Sequence, residues 1–511
     1  MTSDFRMPRR GFVQMAALAG LGAAVPGAAA RAAAGSGVPT AVRTAIARQH
    51  DDTIKRLREW IALPSIAAEN LNVAEGAAQM VQILKDAGFQ RADLIPTPGS
   101  PAVLGVLDAG APRTVAVYFM YDVKQFDPAE WSAPPLEGRI VDNPDFGKVM
   151  IGRGVLNQKG PQMALLAALH ALRATGRKSP VNIVLLAEGE EEVGSINLPG
   201  VVHHPEVSKE LARCMGIFSA TAAQSPDGDV TIDLGAKGVL EVELISSAAQ
   251  WGYGSTQDLH SGYAAAVDSP AWHLIRALAT LTSPDGRDVT IDGWFDNIIP
   301  LTAREKQQIA QQAAASGEAS IKKMLDIDKW MKGMSYPEAM ERLVSAPTAN
   351  IEGIVGGYTG PGGKTIMPTK ATVKIDFRLV PNQTTDDCLA KLKAHLAKRG
   401  FGDIEVKAGG GSNPTQTPET SPMIQALKDT YRNMGVEPAI NVRNPTSGPG
   451  YLFTDPPLKL GWADIGLGHG ARYHAPDEYY VIESSNPKLQ GLDGATLSFV
   501  EYLYALASVR A

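Results

Sequence analysis

Cysteine is nearly absent. Of 511 residues only Cys214 and Cys388 carry a thiol, too few for a disulfide framework or a thiolate metal site. Aromatic residues are sparse, at 6%. Neither sign of charge dominates: 48 Lys and Arg face 54 Asp and Glu, a net charge of −6. That leaves no electrostatic footprint for nucleic acid or an anionic membrane surface. After the N-terminal region charges punctuate every segment, so a polytopic membrane protein is excluded. What remains is an ordinary globular composition, with 44% hydrophobic and 20% charged residues, 51 Gly and 35 Pro. A disordered, collagen-like or coiled-coil chain would look different. At this length more than one compact core is expected.

The N-terminal stretch Pro8-Arg9-Arg10-Gly11-Phe12-Val13-Gln14 leads into an apolar run from Met15 to Val25 and then Ala28-Ala29-Ala30. Paired arginines, a phenylalanine, a short apolar region and small residues, in that order, make a twin-arginine export signal. The run is too short to span a bilayer stably. Residues 1–34 are therefore read as an address, and the mature protein as periplasmic or secreted, without a membrane span.

Beyond it, helix-like and strand-like segments alternate. Thr40 to Leu63, Ala74 to Ala87 and Pro161 to Thr175 carry helical patterns, while Thr114 to Met120 and Val181 to Ala187 are continuous apolar strands. Strands of that kind are buried on both faces, so the fold class is α/β, a mixed sheet flanked by helices. From about Asp233 the texture changes: Leu240 to Ile245 and Thr372 to Phe377 alternate with period two, with helical stretches such as Ala303 to Ala315 between them. This is an inserted α+β domain, and Gly409 to Thr417 reads as a linker out of it. The division is 35–232 for the first part of the main domain, 233–410 for the insert and 411–511 for the second part. Neither a nucleophile elbow Gly-x-Ser-x-Gly nor a dinucleotide-binding glycine loop is found. His203, His204 and His469 lack carboxylate neighbours at ligand spacing and read as surface or structural residues.

Several stretches carry chemistry. In chain order they are Tyr121-Asp122-Val123 with 127–131, Gly152-Arg153-Gly154 through Lys159-Gly160-Pro161, the acidic run 188–195, Asp258-Leu259-His260-Ser261-Gly262, Arg378-Leu379-Val380-Pro381 and His474-Ala475-Pro476-Asp477-Glu478-Tyr479. Together they resemble peptidase family M20, the dinuclear zinc hydrolases that include carnosinases, aminoacylases and carboxypeptidase G. The longer, carnosinase-like branch is most similar. The resemblance implies a zinc-peptidase catalytic domain interrupted by a lid domain that dimerises, so a homodimer through the insert is expected.

The departures from that family are specific. Of the five positions where its members carry metal ligands, the resemblance places Met120, Asn157 and Ala220 on three, leaving Glu192 and His474. A thioether and a methyl group give a borderline dication nothing useful, and a neutral amide cannot bridge two cations as a carboxylate does. At most one divalent ion, zinc if any, is expected. The resemblance further implies Glu191 as general base and His260 as the lid histidine that polarises the scissile carbonyl. It implies Thr365, Arg378 and Ser447 as binders of a substrate carboxylate, with Arg443 at the head of the Ser447 stretch grouped beside them.

Three functions remain open. The first is an exported hydrolase of an amide in a peptide-like or N-acyl amino-acid substrate bearing a carboxylate. The second is a metal-independent acid–base enzyme, a lyase, isomerase or amide transferase, in the same pocket. The third is a non-catalytic periplasmic binding protein. Each takes a small molecule as its partner.

Overall fold

The computed structural model describes residues 37–509. The export signal assigned to residues 1–34 lies outside them. Two sheets organise the chain. The larger has six strands in the spatial order Arg91–Ile95, Ala102–Leu107, Asn182–Glu188, Thr114–Met120, Ile217–Ala220 and Trp462–Ile465. The last four run parallel to one another, and the first two close one edge in antiparallel pairing. The sheet is mixed, as the sequence indicates.

Its central strands are apolar throughout because alternate residues feed two cores. Val115, Val117, Phe119, Ile183, Leu185 and Ala187 enter the core shared with helices Thr40–Arg48, Gly160–Ala174, Pro422–Asn433 and Leu492–Ser508. Ala116, Tyr118, Val184 and Leu186 enter the core on the opposite face, with Leu198, Val201 and Phe453. The expected single helix from Thr40 to Leu63 is two, Thr40–Arg48 and His50–Ile61, with Gln49 between them at φ −95° and ψ 7°. Outside helical geometry, that residue lets both halves keep an apolar face on the core.

The insert is built on a four-stranded antiparallel sheet in the order Thr348–Gly356, Lys370–Leu379, Gly238–Ser247 and Glu405–Ser412. Helices Pro270–Leu278 and Thr385–Lys398 cover one face, burying Leu240, Val242, Leu244, Val373, Ile375 and Phe377. Glu241 and Lys374 point to the other face and are exposed, which is why these strands alternate. The stretch from Gly409 is a strand rather than a linker. Gly411 pairs with Leu240, and a Cβ on Gly411 would lie 3.1 Å from the Val239 carbonyl oxygen and 3.0 Å from a Thr385 methyl. Glycine is there because the neighbouring chain passes so close. The chain enters and leaves the insert through a short ribbon in which Gly235–Ala236 pairs with Thr415–Gln416.

Among the described residues no helix is long and apolar enough to cross a membrane.

Candidate active site

Met120, Glu188, Ala220 and Ile465 end the four parallel strands on the same edge of the large sheet, with Met120 in register against Glu188. Open α/β sheets put their ligands at the carboxyl ends of such strands, because the loops that follow converge there.

The loop after Glu188 is held by its own carboxylates. Glu188 accepts from Tyr118 Oη at 2.6 Å and Ser195 Oγ at 2.8 Å. Glu190 accepts from the Ser100 amide at 3.0 Å and from Asn197 Nδ2. Asp122, buried at the end of the neighbouring strand, accepts from the amides of Glu191 at 3.3 Å and Glu192 at 3.0 Å. Burial pushes the Asp122 carboxyl well above the usual carboxylate range, with the nearby glutamates adding to the shift and the Glu192 amide opposing it. What these bonds leave facing the cleft is Glu191. Burial pushes its carboxyl up to about 7; Glu192 adds to this, while His474 and Lys124 oppose it.

A second clamp sets the other wall. Glu478 is fully buried. It accepts from Arg153 Nη1 at 2.7 Å and from the amides of Gly154, Leu156 and Asn157 at 2.9–3.0 Å. One carboxylate thus ties the Gly152–Asn157 loop to the loop that carries His474, itself at φ 59°. The result is a compact polar cluster. Asn157 Nδ2 lies 2.7 Å from Glu192 Oε1 and 3.0 Å from His474 Nε2, and His474 Nε2 lies 3.2 Å from Glu192 Oε2. Lys124 joins them, its Nζ 3.3 Å from Glu192 Oε2 and hydrogen-bonded to the Glu192 carbonyl.

This donor set is a poor match for a pair of metal ions. Glu192 and His474 stand together, but Asn157 between them presents N–H, and Met120 and Ala220 bring no zinc ligand to their strand ends. Among the described residues no group of three or more His, Cys, Asp and Glu is arranged to hold a metal ion.

Next to Glu191 opens a cleft of about 570 Å³ between the two domains, lined on one side by Ser195, Ser447 and Tyr451 and on the other by Val239, Glu241 and Ser412. Arg378 reaches across from the insert. Its Nε donates to Asp376 at 3.2 Å and its Nη1 to Ser447 Oγ at 3.4 Å. The sequence-expected Glu191 and Ser447 therefore share one cleft, with Arg378 bonded to its rim. Arg443 does not join them. It is buried, donating to the Val344 carbonyl and to Gln416 Oε1 at 2.7 Å. Its guanidinium is spent on fastening the helix Tyr336–Ser345 to the main domain. His260 and Thr365 meet each other on the insert, exposed and outside the cleft lining. His260 Nδ1 accepts from the Gly262 amide, so the neutral ring carries its proton on Nε2, 3.2 Å from Thr365 Oγ1.

Sequence reasoning missed two residues of this site. Lys124 is the cation immediately after Tyr121-Asp122-Val123, and Glu478 lies within the His474 stretch; a charged side chain beside the first motif and one inside the second were the available signals.

Fold and strand-end cleft define a peptidase-like hydrolase, a mixed α/β domain interrupted by a second, antiparallel sheet. The peptidase family M20/M25/M40 matches residues 121–490, and the chain belongs to that family, which places it among the peptidases. It is 28% identical over 489 residues to the Cys-Gly metallodipeptidase of Schizosaccharomyces pombe, covering 91% of this chain and 97% of that one. It is 26% identical over 370 residues to the human Beta-Ala-His dipeptidase, covering 68% and 69% of the two chains. The M20 family metallo-carboxypeptidase of Sulfolobus solfataricus superposes with a TM-score of 0.76 at 31% identity, covering 89% of this chain and 99% of that one. Peptidases of this family are metal-dependent.

Proposed function

We propose that this chain is an exported hydrolase of an amide bond in a peptide-like or N-acyl amino-acid substrate that ends in a carboxylate, working without a dinuclear zinc centre. The observation that carries the reading is Glu191, fixed at the mouth of a cleft whose rim holds Ser447 and Arg378. Glu191 takes the proton of the attacking water, and Arg378 with Ser447 receives the substrate carboxylate, the bidentate partner a guanidinium favours. Dipeptidase relatives whose printed substrates, Cys-Gly and Beta-Ala-His, end in a free carboxylate support that choice. The exposed pair His260 and Thr365 serves a neighbouring subunit's cleft, which requires pairing of two copies through the insert. Export rests on the Arg9-Arg10 pattern.

One arrangement favours a second reading, a metal-independent acid–base enzyme in the same cleft: the Glu192 carboxylate faces N–H donors from Asn157 and Lys124, and His474 Nε2 lies against Asn157 Nδ2 and Glu192 Oε2. Screening the purified protein against dipeptides and N-acyl amino acids tests both. Glu191→Gln should lower kcat/KM by about 10²–10⁴-fold, the usual contribution of a general base, with the melting temperature held. Turnover that survives exhaustive chelation supports the metal-free reading. Hydrolysis undiminished in Glu191→Gln would sink the assignment of the base.

A further inference from the structure

We propose that the Lys124 ammonium is the resident cation of the Asn157–Glu192–His474 cluster and closes that cluster to zinc. The inference rests on the reading above that the site has no dinuclear centre, and it says what holds the charge instead.

Glu192 is the centre of the argument. Its side chain is only 4% exposed, and a carboxylate so enclosed is costly to desolvate unless a cation lies close by. Lys124 supplies it, reaching both the carboxylate and the carbonyl of the same residue. The backbone leading to Lys124 is fixed: the Val123 amide donates to the Ser65 carbonyl at 2.8 Å, and Asp122 bridges to Ser65. The ammonium therefore comes from a loop pinned to Ser65 at the two residues before it, just past the end of a central strand.

The amide completes the closure. Gln158 Nε2 donates to Asn157 Oδ1 at 3.2 Å, which turns Nδ2 toward Glu192 Oε1 and His474 Nε2. Zinc requires lone pairs converging on one point. In this cluster Asn157 turns N–H rather than a lone pair toward Glu192 and His474, and an entering dication meets an ammonium already in place.

The test is zinc binding to the purified full chain, by calorimetry and by elemental analysis after dialysis, with no activity readout. Asn157→Asp would place a carboxylate beside Glu192 and His474 and so bring the cluster to three donors, the count of a typical catalytic zinc site. The wild type should show no saturable zinc site. Asn157→Asp should bind weakly, and Asn157→Asp with Lys124→Gln at least about tenfold more tightly, because the repelling charge is gone. Asn157→Asp with Lys124→Arg should stay weak, since it retains a cation; circular dichroism and the melting temperature report whether each variant is folded. Equal affinity with and without the lysine would overturn this proposal and leave the reading without a dinuclear centre intact. Two equivalents of zinc in the wild type would overturn both.

Discussion

Glu188 closes a central strand with its carboxyl shut away from water. Burial pushes its pKa from 4.5 up to about 8, against the opposing hydrogen bonds from Tyr118 and Ser195. Between those two values the folded chain holds a proton that the unfolded chain has released. Stability is therefore full below about 4.5 and falls as pH rises toward 8, by about 1.4 kcal/mol for each unit crossed. Lys159 works in the opposite sense: burial lowers it from 10.5 to about 7, so its contribution grows from pH 7 upward. The difference between wild type and Glu188→Gln isolates the carboxyl. Melting temperatures measured from pH 5 to 8.5 should decline less steeply in the variant, and parallel curves would refute the assignment. Few of these residue-scale facts were legible beforehand. The acidic run 188–195 was visible as a motif, but which carboxylate props the loop and which faces substrate depends on partners such as Ser100, Asn197 and Asp122, remote in the chain.

At the scale of elements, hydrophobic patterning carried most of the information. The two-sided burial of Thr114–Met120 and Asn182–Glu188 and the one-sided burial of the insert's strands follow from their runs and alternations. Glycine-rich segments misled, because a glycine that loosens a linker and one that admits a neighbouring strand look alike in sequence. Gly235 is of the second kind, in the ribbon that joins the two domains, where a Cβ would strike the Thr415 carbonyl oxygen. Backbone cannot yield as a flexible side chain can. Gly235→Ala should cost about 1–3 kcal/mol, as overpacking does, and lower the melting temperature by several degrees. Gly363→Ala, with open space around it, should leave the melting temperature unchanged in the same thermal scan.

For the whole molecule, the edge strand Thr348–Gly356 leaves its outer side unpaired and exposes Ile351 at 51%, Ile354 at 52% and Val355 at 59%. An exposed apolar edge of this kind invites pairing with another chain, and it is the surface through which we propose that the two copies pair. Light scattering of the purified protein should give twice the chain mass, and Ile354→Lys should give the monomer with hydrolysis reduced, since His260 of the partner subunit is then lost. A monomeric wild type at full activity would remove both the dimer and the shared histidine.

The sequence by itself determined the fold class and the family, because those depend on local periodicity and on short motifs whose order along the chain is retained. Only the tertiary structure decided how charge is balanced inside the site. Lys124 meets Glu192, Glu478 clamps Arg153 and three amides, and Arg443 is withdrawn to Val344. Pairings between groups tens to hundreds of residues apart leave no local trace, since any exposed-looking charge can find its partner only once the strands and loops have converged.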